Sequence, residues 1–215
     1  MSPAEPGGFR RIGERERLGG FFFTHVTGTF VDPEGFTFER EIVRHPGAVC
    51  VVPLEADGRH IVFVRQYRAA LDRALLELPA GKRDLPDEAP ELCARRELAE
   101  EVGRNAARIT ELGRFFNSPG FTDEETICFL AEDLSDAERE AHGIEEHHLT
   151  IERVDLDDLE SLMASGELVD GKSIIGCLLA RGVLAKRSAV PEPGASGPAA
   201  LGNPAVSPDR SARPA

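Results

Sequence analysis

Residues 77–104 read ELPAGKRDLPDEAPELCARRELAEEVGR, a loop followed by a helix-forming segment. Pro90 suits the first position of a helix, because its missing N–H would have no intrahelical partner there. Gly103 suits the left-handed residue that commonly follows the last turn. These signals predict a helix between Pro90 and Gly103. The apolar residues that recur every four positions, and so share its packing face, are Ala94, Leu98 and Val102.

Three carboxylates, Glu97, Glu100 and Glu101, share another part of this helix, since residues three or four apart are neighbours. Like charges at such spacings destabilise an isolated helix by about 0.2–0.5 kcal/mol per pair. One interpretation is a solvated face offset by Arg95 and Arg96. The other is a site for a divalent cation, because Mg²⁺ prefers hard oxygen ligands. The glycine-bearing loop favours the cation site, because it lets backbone groups approach the carboxylates.

The stretch resembles the Nudix box, in which a glycine and then a glutamate precede the run R-E-hydrophobic-x-E-E-x-G. Here the glycine is Gly81 and the run is residues 96–103. The gap from Gly81 to Glu88 is one residue longer than the family pattern, unless Asp87 replaces the glutamate. Arg104 stands where the family has an aliphatic residue. Neither departure affects the three carboxylates of the helix.

The resemblance implies roles for individual residues of the box. Glu97 and Glu101 are expected to hold metal ions together with the Ala80 carbonyl, and Glu100 to support or bridge them. Arg96 is expected to orient a box glutamate by a salt bridge. The expected cofactor is Mg²⁺, with Mn²⁺ equally compatible.

Three further stretches resemble the ADP-ribose pyrophosphatase branch of this family. Pro119, within the run SPG, lies 16 residues past the box, and Glu124 follows it. Residues 64–68, VRQYR, resemble a strand end of that branch, and residues 45–49, HPGAV, resemble the start of its catalytic domain. The likeness covers about residues 20–185.

The resemblance implies a substrate in which a nucleoside diphosphate is linked to a second group. Arg68 is suited to fork onto a phosphate, and pairing with Glu77 is the alternative. Glu124 is expected either to hydrogen-bond the terminal ribose or to anchor its loop. The residues assigned to substrate binding are Arg68, Glu77, Gly81, Ser118, Pro119, Gly120 and Glu124.

A general base is expected across the phosphate from the helix. The matching loop of the family supplies a glutamate, and that loop contains both Glu145 and Glu146 here. The sequence does not choose between them, and a solvated acidic loop is the alternative. The residues assigned to catalysis are Glu145, Glu146, Glu100 and Arg96.

The composition restricts the partners and the compartment. The 215 residues carry a formal charge of −13, which argues against nucleic acid because its phosphates favour Lys and Arg clusters. No apolar run approaches the roughly 20 residues of a membrane helix, and the first residues lack the apolar core of a signal peptide. We expect a cytoplasmic protein with reduced, buried thiols, which are Cys50, Cys93, Cys128 and Cys177.

The order of elements predicts an α/β fold, an α/β/α sandwich of the Nudix type with a mixed sheet. A small N-terminal antiparallel hairpin, residues 21–31 and 36–43, is expected before it, after an irregular start over residues 1–20. We divide the chain into an N-terminal arm and hairpin (1–44), a Nudix domain (45–187) and a tail (188–215). The tail is rich in Pro, Ala, Gly and Ser and is expected to be disordered.

The phenylalanine-rich hairpin has two interpretations. It is either a plain edge sheet, or a homodimer interface in which residues 21–23 and Phe36 pack on a second copy and one aromatic ring stacks on adenine. The resemblance implies a dimer with substrate between the subunits.

These observations predict Mg²⁺-dependent hydrolysis of ADP-ribose to AMP and ribose 5-phosphate. One alternative is the same chemistry on a nucleotide sugar. Another is a Nudix-fold sensor that binds an ADP-ribose-like ligand without cleaving it. The intact pairs Arg96-Glu97 and Glu100-Glu101 argue against the sensor.

Overall fold

The computed structural model describes residues 7–20, 22–140 and 143–189. The elements follow in this order: β1 (Arg10–Gly19), β2 (Thr24–Val31), β3 (Thr37–Arg44), β4 (Ala48–Pro53), β5 (His60–Arg68), β6 (Arg73–Glu77), β7 (Ala80–Lys82), α1 (Pro90–Val102), β8 (Arg104–Phe116), β9 (Glu125–Asp136), α2 (Ile144–His147), β10 (Thr150–Asp155), a 3₁₀ turn (Leu156–Asp158), α3 (Leu159–Ser165) and α4 (Gly171–Ala189).

The strands form three sheets within these ranges. One is an antiparallel N-terminal sheet in the order β1-β2-β3, and a second antiparallel sheet has the order β10-β5-β6. The third has the order β7-β4-β9-β8, in which β4 and β9 run parallel and the other pairs antiparallel. The predicted mixed sheet is therefore present.

Strand β4 is buried on both faces and separates two apolar layers. Val49 and Val51 point to the layer that contains the buried face of α1. Cys50 and Val52 point to the layer that contains Cys177 of α4. This alternation follows from the two-residue period of a strand. The result is the expected α/β/α sandwich, with α1 and α4 on opposite sides of the sheets.

The helix that carries the three carboxylates has the predicted bounds. Pro90 is its first residue, and Gly103 ends it with φ 64° in the left-handed region. Gly103 donates its N–H to the Ala99 carbonyl at 2.9 Å, which closes the last turn. Its packing face, Ala94, Leu98 and Val102, is buried. The box helix and its termini were therefore readable from sequence.

The N-terminal hairpin is confirmed as β2 and β3, but the expectation of an irregular start was wrong. Residues 10–19 form β1, which pairs along β2 and is exposed at all ten positions. The sequence RRIGERERLG has no apolar alternation because this strand buries neither face. It is held by the backbone ladder, by the hydrogen bond from Arg17 to the Thr27 hydroxyl at 2.7 Å and by the pair of Glu14 with Arg44. Phe21 and residues 1–6 lie outside the described residues.

Two smaller differences concern the C-terminal half. Residues 144–147, expected in an acidic loop, form the single-turn helix α2. Helix α4 continues to Ala189, two residues past the predicted domain boundary. The remainder of the predicted tail, residues 190–215, lies outside the described residues.

The four cysteines are buried free thiols, as predicted. Among the described helices, none combines the length and the apolar character needed to cross a membrane.

Candidate active site

The site begins where β7 passes the carboxylate of Glu97. A Cβ added to Gly81 would lie 1.8 Å from Cδ of Glu97. Because no side chain fits in that space, only glycine lets the strand and the carboxylate approach this closely. The glycine of the box therefore makes room for the first acidic group of the site.

Glu101 lies one helical turn further on and is 4% exposed. Its Oε2 accepts a hydrogen bond from the Ala80 N–H at 3.0 Å. Helix α1 and strand β7 therefore bring Glu97 and Glu101 together beside the backbone at Ala80 and Gly81, as the sequence predicted for the metal site.

Both carboxylates are held in an environment that disfavours their charge. Burial raises the pKa of Glu97 to about 7; Arg96 opposes this, and the charges of Glu100 and Glu146 add to it. Burial raises the pKa of Glu101 to about 8, against the Ala80 N–H and with help from Glu97 and Glu146. A cation at this position would relieve the repulsion that these groups share.

Arg96 organises the acidic face. Its Nη1 donates to Oε1 of Glu97 at 2.7 Å and to Oε2 of Glu100 at 3.0 Å. Its Nε and Nη2 donate to the two carboxylate oxygens of Glu88 at 3.0 and 3.1 Å. Of the two candidates for the box glutamate, Glu88 is therefore the one that pairs with Arg96. Asp87 instead adopts φ 61° in the preceding turn.

The wall opposite α1 carries two cations around one buried carboxylate. Glu77 is 1% exposed, and Arg68 donates to it from Nε at 2.7 Å and from Nη2 at 2.6 Å. Lys172 Nζ contacts the same carboxylate at Oε2. In the structure Arg68 thus forms the pair with Glu77 that was its alternative role, while its side chain remains 41% exposed.

Lys172 is fixed by the start of α4. Its Nζ contacts Oδ2 of Asp170 at 2.9 Å, and the same oxygen accepts the N–H and the hydroxyl of Ser173 at 3.0 and 2.5 Å. The Ser173 hydroxyl oxygen accepts the N–H of Leu78 at 2.7 Å. This chain of contacts ties the first turn of α4 to the residue that follows Glu77.

A cavity of about 850 Å³ separates the two walls. The predicted site residues that line it are Arg68, Glu77, Ala80, Gly81, Arg96, Glu97, Glu100, Glu101, Ser118, Glu124 and Glu146. The predicted residues that do not line it are Pro119, Gly120 and Glu145. The carboxylates of α1 suit cations and the Arg68 guanidinium suits phosphate oxygens, so the cavity suits a polyanion that is bound with cations.

A Nudix domain model matches residues 43–174, more than half of the chain, and includes every predicted site residue that lines the cavity. The chain belongs to the Nudix family. Residues 81–103 are therefore its Nudix box, and α1 is the helix of that box.

Three relatives agree with this assignment. An ADP-ribose pyrophosphatase of Bacillus subtilis (strain 168) is 42% identical over 141 residues, which cover 66% of this chain and 75% of the relative. An ADP-ribose pyrophosphatase of Mycobacterium tuberculosis (strain ATCC 25618 / H37Rv) is 39% identical, covering 70% and 72%. A methanol dehydrogenase activator of Bacillus methanolicus is 38% identical, covering 66% and 76%.

A solved structure supports the Nudix fold. The crystal structure of an ADP compounds hydrolase aligns with a TM-score of 0.73, covering 85% of this chain and 97% of that one. The two sequences are 22% identical, so this likeness concerns the fold alone.

The acidic residues of the Nudix site fit a divalent cation by their chemistry. They offer hard oxygen donors, and they are largely removed from water. Because Gly81 has no side chain, the backbone of β7 can lie against the Glu97 carboxylate. Within the described ranges, no group of three or more His, Cys, Asp or Glu side chains forms a ready-made metal cage. Arg96 is hydrogen-bonded to Glu97 and Glu100 instead.

The helix α2 brings Glu146 to the cavity of the Nudix site and leaves Glu145 off its lining. Glu146 accepts the Gly143 N–H at 3.0 Å, and its carbonyl accepts Nη2 of Arg139 at 2.5 Å. These contacts fix the turn, and the charge of Glu146 reaches both Glu97 and Glu101. Of the two candidates for the base, geometry therefore favours Glu146.

The loop between β8 and β9 closes one end of the cavity and is joined to the N-terminal sheet. The Val43 N–H donates to the Phe121 carbonyl at 2.8 Å. Arg44 donates to Oδ2 of Asp123 at 2.9 Å and also contacts Glu14 of β1. The loop that carries Ser118 and Glu124 is thus held by the end of β3.

Several residues of the site were missed from the sequence. The sequence predicted Lys172 only as the first residue of a helix over residues 172–186, and it gave Asp170 no role. A signal was available, because a lysine in the first turn of a helix opposes the helix dipole and therefore calls for a specific partner. Other residues that line the cavity and were given no role from the sequence include Gln66, Lys82, Asp84 and Asn117.

Proposed function

We propose that this protein is a Mg²⁺-dependent Nudix hydrolase that cleaves the pyrophosphate bond of ADP-ribose, or of a closely related nucleoside diphosphate compound. Water is consumed, and the products of ADP-ribose are AMP and ribose 5-phosphate. The observation that carries the proposal is the cavity in which Glu97 and Glu101 face Arg68 and Lys172. The names and identities of two curated relatives support ADP-ribose as the first substrate.

The metal would be held by Glu97, Glu101 and the Ala80 carbonyl, with Glu100 in support; Mn²⁺ satisfies the same ligands. When bound, it supplies neutralisation of phosphate charge and a bound water of lowered pKa. Gly81 keeps the approach to Glu97 open. Arg96, held by Glu88, orients Glu97 and Glu100 so that both remain at the cavity.

Glu146 is the proposed general base. It lines the same cavity as Glu97 and Glu101, and its charge reaches both of them. As a carboxylate it accepts the proton of the attacking water as the bond to phosphorus forms. Glu145 has no equivalent access, so its substitution by glutamine serves as the matched control for Glu146→Gln.

The nucleoside end is proposed to bind at the N-terminal side. Phe22 and Phe23 line the cavity there, and Lys82 Nζ lies 4.6 Å from the centre of the Phe22 ring. Both rings are partly open to solvent, with exposed fractions of 41% and 37%, which suits stacking with adenine. Ser118 and Glu124 reach the cavity from the loop after β8, which supports a contact with the terminal ribose.

A homodimer formed through the N-terminal sheet is part of the proposal. Strand β1 is exposed at every position. Large apolar side chains of this region are open to solvent, with exposed fractions of 48% for Phe9, 49% for Ile12, 65% for Leu18 and 72% for Phe36. Such a concentration is typical of an interaction surface.

The proposal is tested by product analysis on a panel of substrates. Purified protein is incubated with ADP-ribose, nucleotide sugars, NADH, diadenosine polyphosphates and nucleoside triphosphates, each with Mg²⁺ and with chelator. AMP formed from ADP-ribose, and lost with chelator, is the expected result. Faster cleavage of a nucleotide sugar would identify that class as the preferred substrate. Tight binding of ADP-ribose without formation of AMP would indicate a sensor and not an enzyme.

The metal assignment is tested by Glu101→Gln. Turnover should fall by more than about 100-fold, because even the outer partners of metal ligands are worth about 10- to 100-fold. The fold should be retained, since glutamine keeps an oxygen that can accept the Ala80 N–H. Glu91→Gln is the control, because Glu91 lies on the same helix, is 53% exposed and pairs with Arg95. Activity of Glu101→Gln within a few-fold of the parent would contradict the assignment.

A further inference from the structure

Gln66 is a buried polar residue whose side chain has no partner in the described parts of the chain. Eight polar or charged residues are buried there. Seven of them are hydrogen-bonded through their side chains, namely Thr27, Glu77, Glu97, Glu101, Thr126, Glu132 and Ser173. The eighth, Gln66, is 7% exposed, and no described residue forms a hydrogen bond with its amide. Burying an amide without a partner is unfavourable, so this one calls for an explanation.

The amide of Gln66 opens into the cavity of the Nudix site. Gln66 lines that cavity, and so does Leu75, its partner across the strands. Among the described residues, Arg83 Nε is the only side-chain nitrogen or oxygen that is both fully enclosed and unpaired. The amide atoms of Gln66 are therefore not fully enclosed. The small part of this side chain that stays accessible faces the space in which the substrate is proposed to bind.

Strand register places Gln66 beside the Arg68 guanidinium. Val64, Gln66 and Arg68 point to one face of β5, because a strand has a two-residue period. Glu77 of β6 lies directly opposite Val64 and points to the same face. The Arg68 guanidinium reaches the Glu77 carboxylate, four residues back along this face. The two side chains therefore meet at the level of Gln66, which makes the amide and the guanidinium neighbours.

The Arg68 guanidinium keeps donors for a ligand while it is paired with Glu77. The pair uses one N–H of Nε and one of Nη2, and a guanidinium has five N–H groups. The other three lie on Nη1 and Nη2, at the end of the fork that suits phosphate oxygens. A phosphate held there would also lie beside Gln66, with the pair of Arg68 and Glu77 unchanged.

A neutral donor suits this position. The charges of Arg68, Lys172, Glu77 and Asp170, which are joined by ion pairs, sum to zero. A further buried cation would need a carboxylate of its own. The NH₂ group of Gln66 adds a donor without adding a charge, and hydrogen bonds to a charged acceptor are stronger than those between neutral groups.

We propose that Gln66 binds the substrate: its NH₂ group donates a hydrogen bond to an oxygen of the pyrophosphate that Arg68 also binds. The proposal rests on the proposed function, because it takes a pyrophosphate as the ligand of Arg68. The adenine and the terminal ribose are assigned to other parts of the wall, at Phe22 and Ser118. A contact with the pyrophosphate should therefore act equally on every substrate that contains one.

The test is Gln66→Leu, which removes the amide and keeps a side chain of similar size. The value of kcat/KM for ADP-ribose should fall by roughly 10- to 100-fold, the range for a hydrogen bond to a charged group. The Tm of the ligand-free protein should not fall, because the amide has no partner to lose. Gln66→Met, with an unbranched side chain, gives the same comparison if Gln66→Leu does not fold.

Asn117→Leu is the matched contrast for stability. The Asn117 amide also lines the cavity, but it donates to the Thr126 hydroxyl at 3.0 Å. The same change should therefore lower Tm at this position. Parent-like kcat/KM in Gln66→Leu would overturn the proposal. A fall in Tm as large as that of Asn117→Leu would also overturn it, because it would show that the glutamine is structural.

Ligands that differ in one part identify the group that Gln66 contacts. ADP-glucose changes the terminal sugar, IDP-ribose changes the base, and inorganic pyrophosphate, used as an inhibitor with excess Mg²⁺, lacks both. Gln66→Leu should weaken all of them by the same factor as ADP-ribose, to within about threefold. Unchanged inhibition by pyrophosphate, or a loss confined to one base or one sugar, would overturn the proposal.

Failure of this inference is distinguishable from failure of the proposed function. If the parent cleaves ADP-ribose and Gln66→Leu is unimpaired, only the inference fails. If the parent binds ADP-ribose with Mg²⁺ but cleaves nothing on the panel, the proposed hydrolysis fails. Dissociation constants from calorimetric titration of the parent and of Gln66→Leu then decide the role of the amide. If the parent neither binds nor cleaves ADP-ribose, both are overturned.

Discussion

At the scale of single residues, the site depends on a missing side chain as much as on those present. The backbone at Gly81 and the carboxylate of Glu97 share a volume that a methyl group would fill. The position of the Glu97 carboxylate therefore depends on the absence of a side chain at Gly81, and the two residues form one functional unit.

Gly81→Ala tests this unit. The added Cβ would meet Cδ of Glu97 at 1.8 Å, so the carboxylate has to move, with a loss of stability of about 1–3 kcal/mol and of most turnover. Gly120→Ala is the matched control, because nothing lies within 4 Å of an added Cβ there. Denaturant unfolding and turnover are the measurements. Parent-like activity of Gly81→Ala would show that turnover does not require the position of the Glu97 carboxylate seen in the structure.

The raised pKa values of Glu97 and Glu101, about 7 and about 8, predict a pH dependence of metal binding. Their folded-state pKa values exceed the ordinary value of 4.5. The metal-free folded protein therefore binds more protons than the unfolded chain between about pH 4.5 and 8, and its stability falls as pH rises through that window. A cation binds the deprotonated form and reverses this loss.

The increase in Tm on adding Mg²⁺ should accordingly be larger at pH 8 than at pH 6. Glu101→Gln should reduce both the pH dependence of the metal-free Tm and the Mg²⁺ effect, since it removes the group with the higher pKa. Differential scanning fluorimetry across pH 5.5–8.5, with Mg²⁺ and with chelator, makes the comparison. An equal Mg²⁺ effect at both pH values would argue against these two carboxylates as ligands.

At the scale of secondary structure, the elements with apolar patterns were predictable and those without were not. The helix α1 and the buried strand β4 follow from spacing and composition. Strand β1 buries neither face, so no pattern marks it, and its existence depends on β2. The Nudix box identified the acidic wall. The wall of Arg68 and Glu77 joins the neighbouring strands β5 and β6 to α4, which is distant from them in sequence. Lys172 therefore became visible only in the fold.

We predict that neither stability nor activity depends on residues beyond the end of α4. A chain ending at Ala189 should keep the Tm and the activity of the full protein, because residues 190–215 are poor in apolar side chains. The control is a chain ending at Leu184, which loses the pair of Arg187 with Oε1 of Glu132 at 2.7 Å. It should be less stable by about 1 kcal/mol or more. A clear loss of Tm or activity in the longer chain would assign a role to the tail.

At the scale of the whole molecule, the exposed apolar side chains of the N-terminal sheet belong to the surface that is proposed to join two copies. Leu18→Asp places a charge on the exposed edge strand, where Leu18 is 65% exposed. If two copies meet there, light scattering should show the change from dimer to monomer, because burying an unpaired carboxylate opposes association. Leu178→Asp is the control on α4, where the side chain is 51% exposed. Equal molar masses in solution for Leu18→Asp and the parent would contradict a dimer contact at this strand.

The hydrogen bond between Arg44 and Asp123 connects the surface proposed for dimerisation to the active site, so dissociation of such a dimer should change the kinetics. Strand β3 belongs to the sheet proposed to join two copies, and its last residues also hold the loop that carries Ser118 and Glu124. Separation of the copies would loosen the end of β3. The loop that carries Ser118 and Glu124 would then be held less firmly, and so would the terminal ribose that these residues are proposed to contact. Specific activity should therefore decline when the enzyme is diluted below the dissociation constant of the dimer, with KM rising before kcat falls, and protein concentration would act as an effector of the reaction.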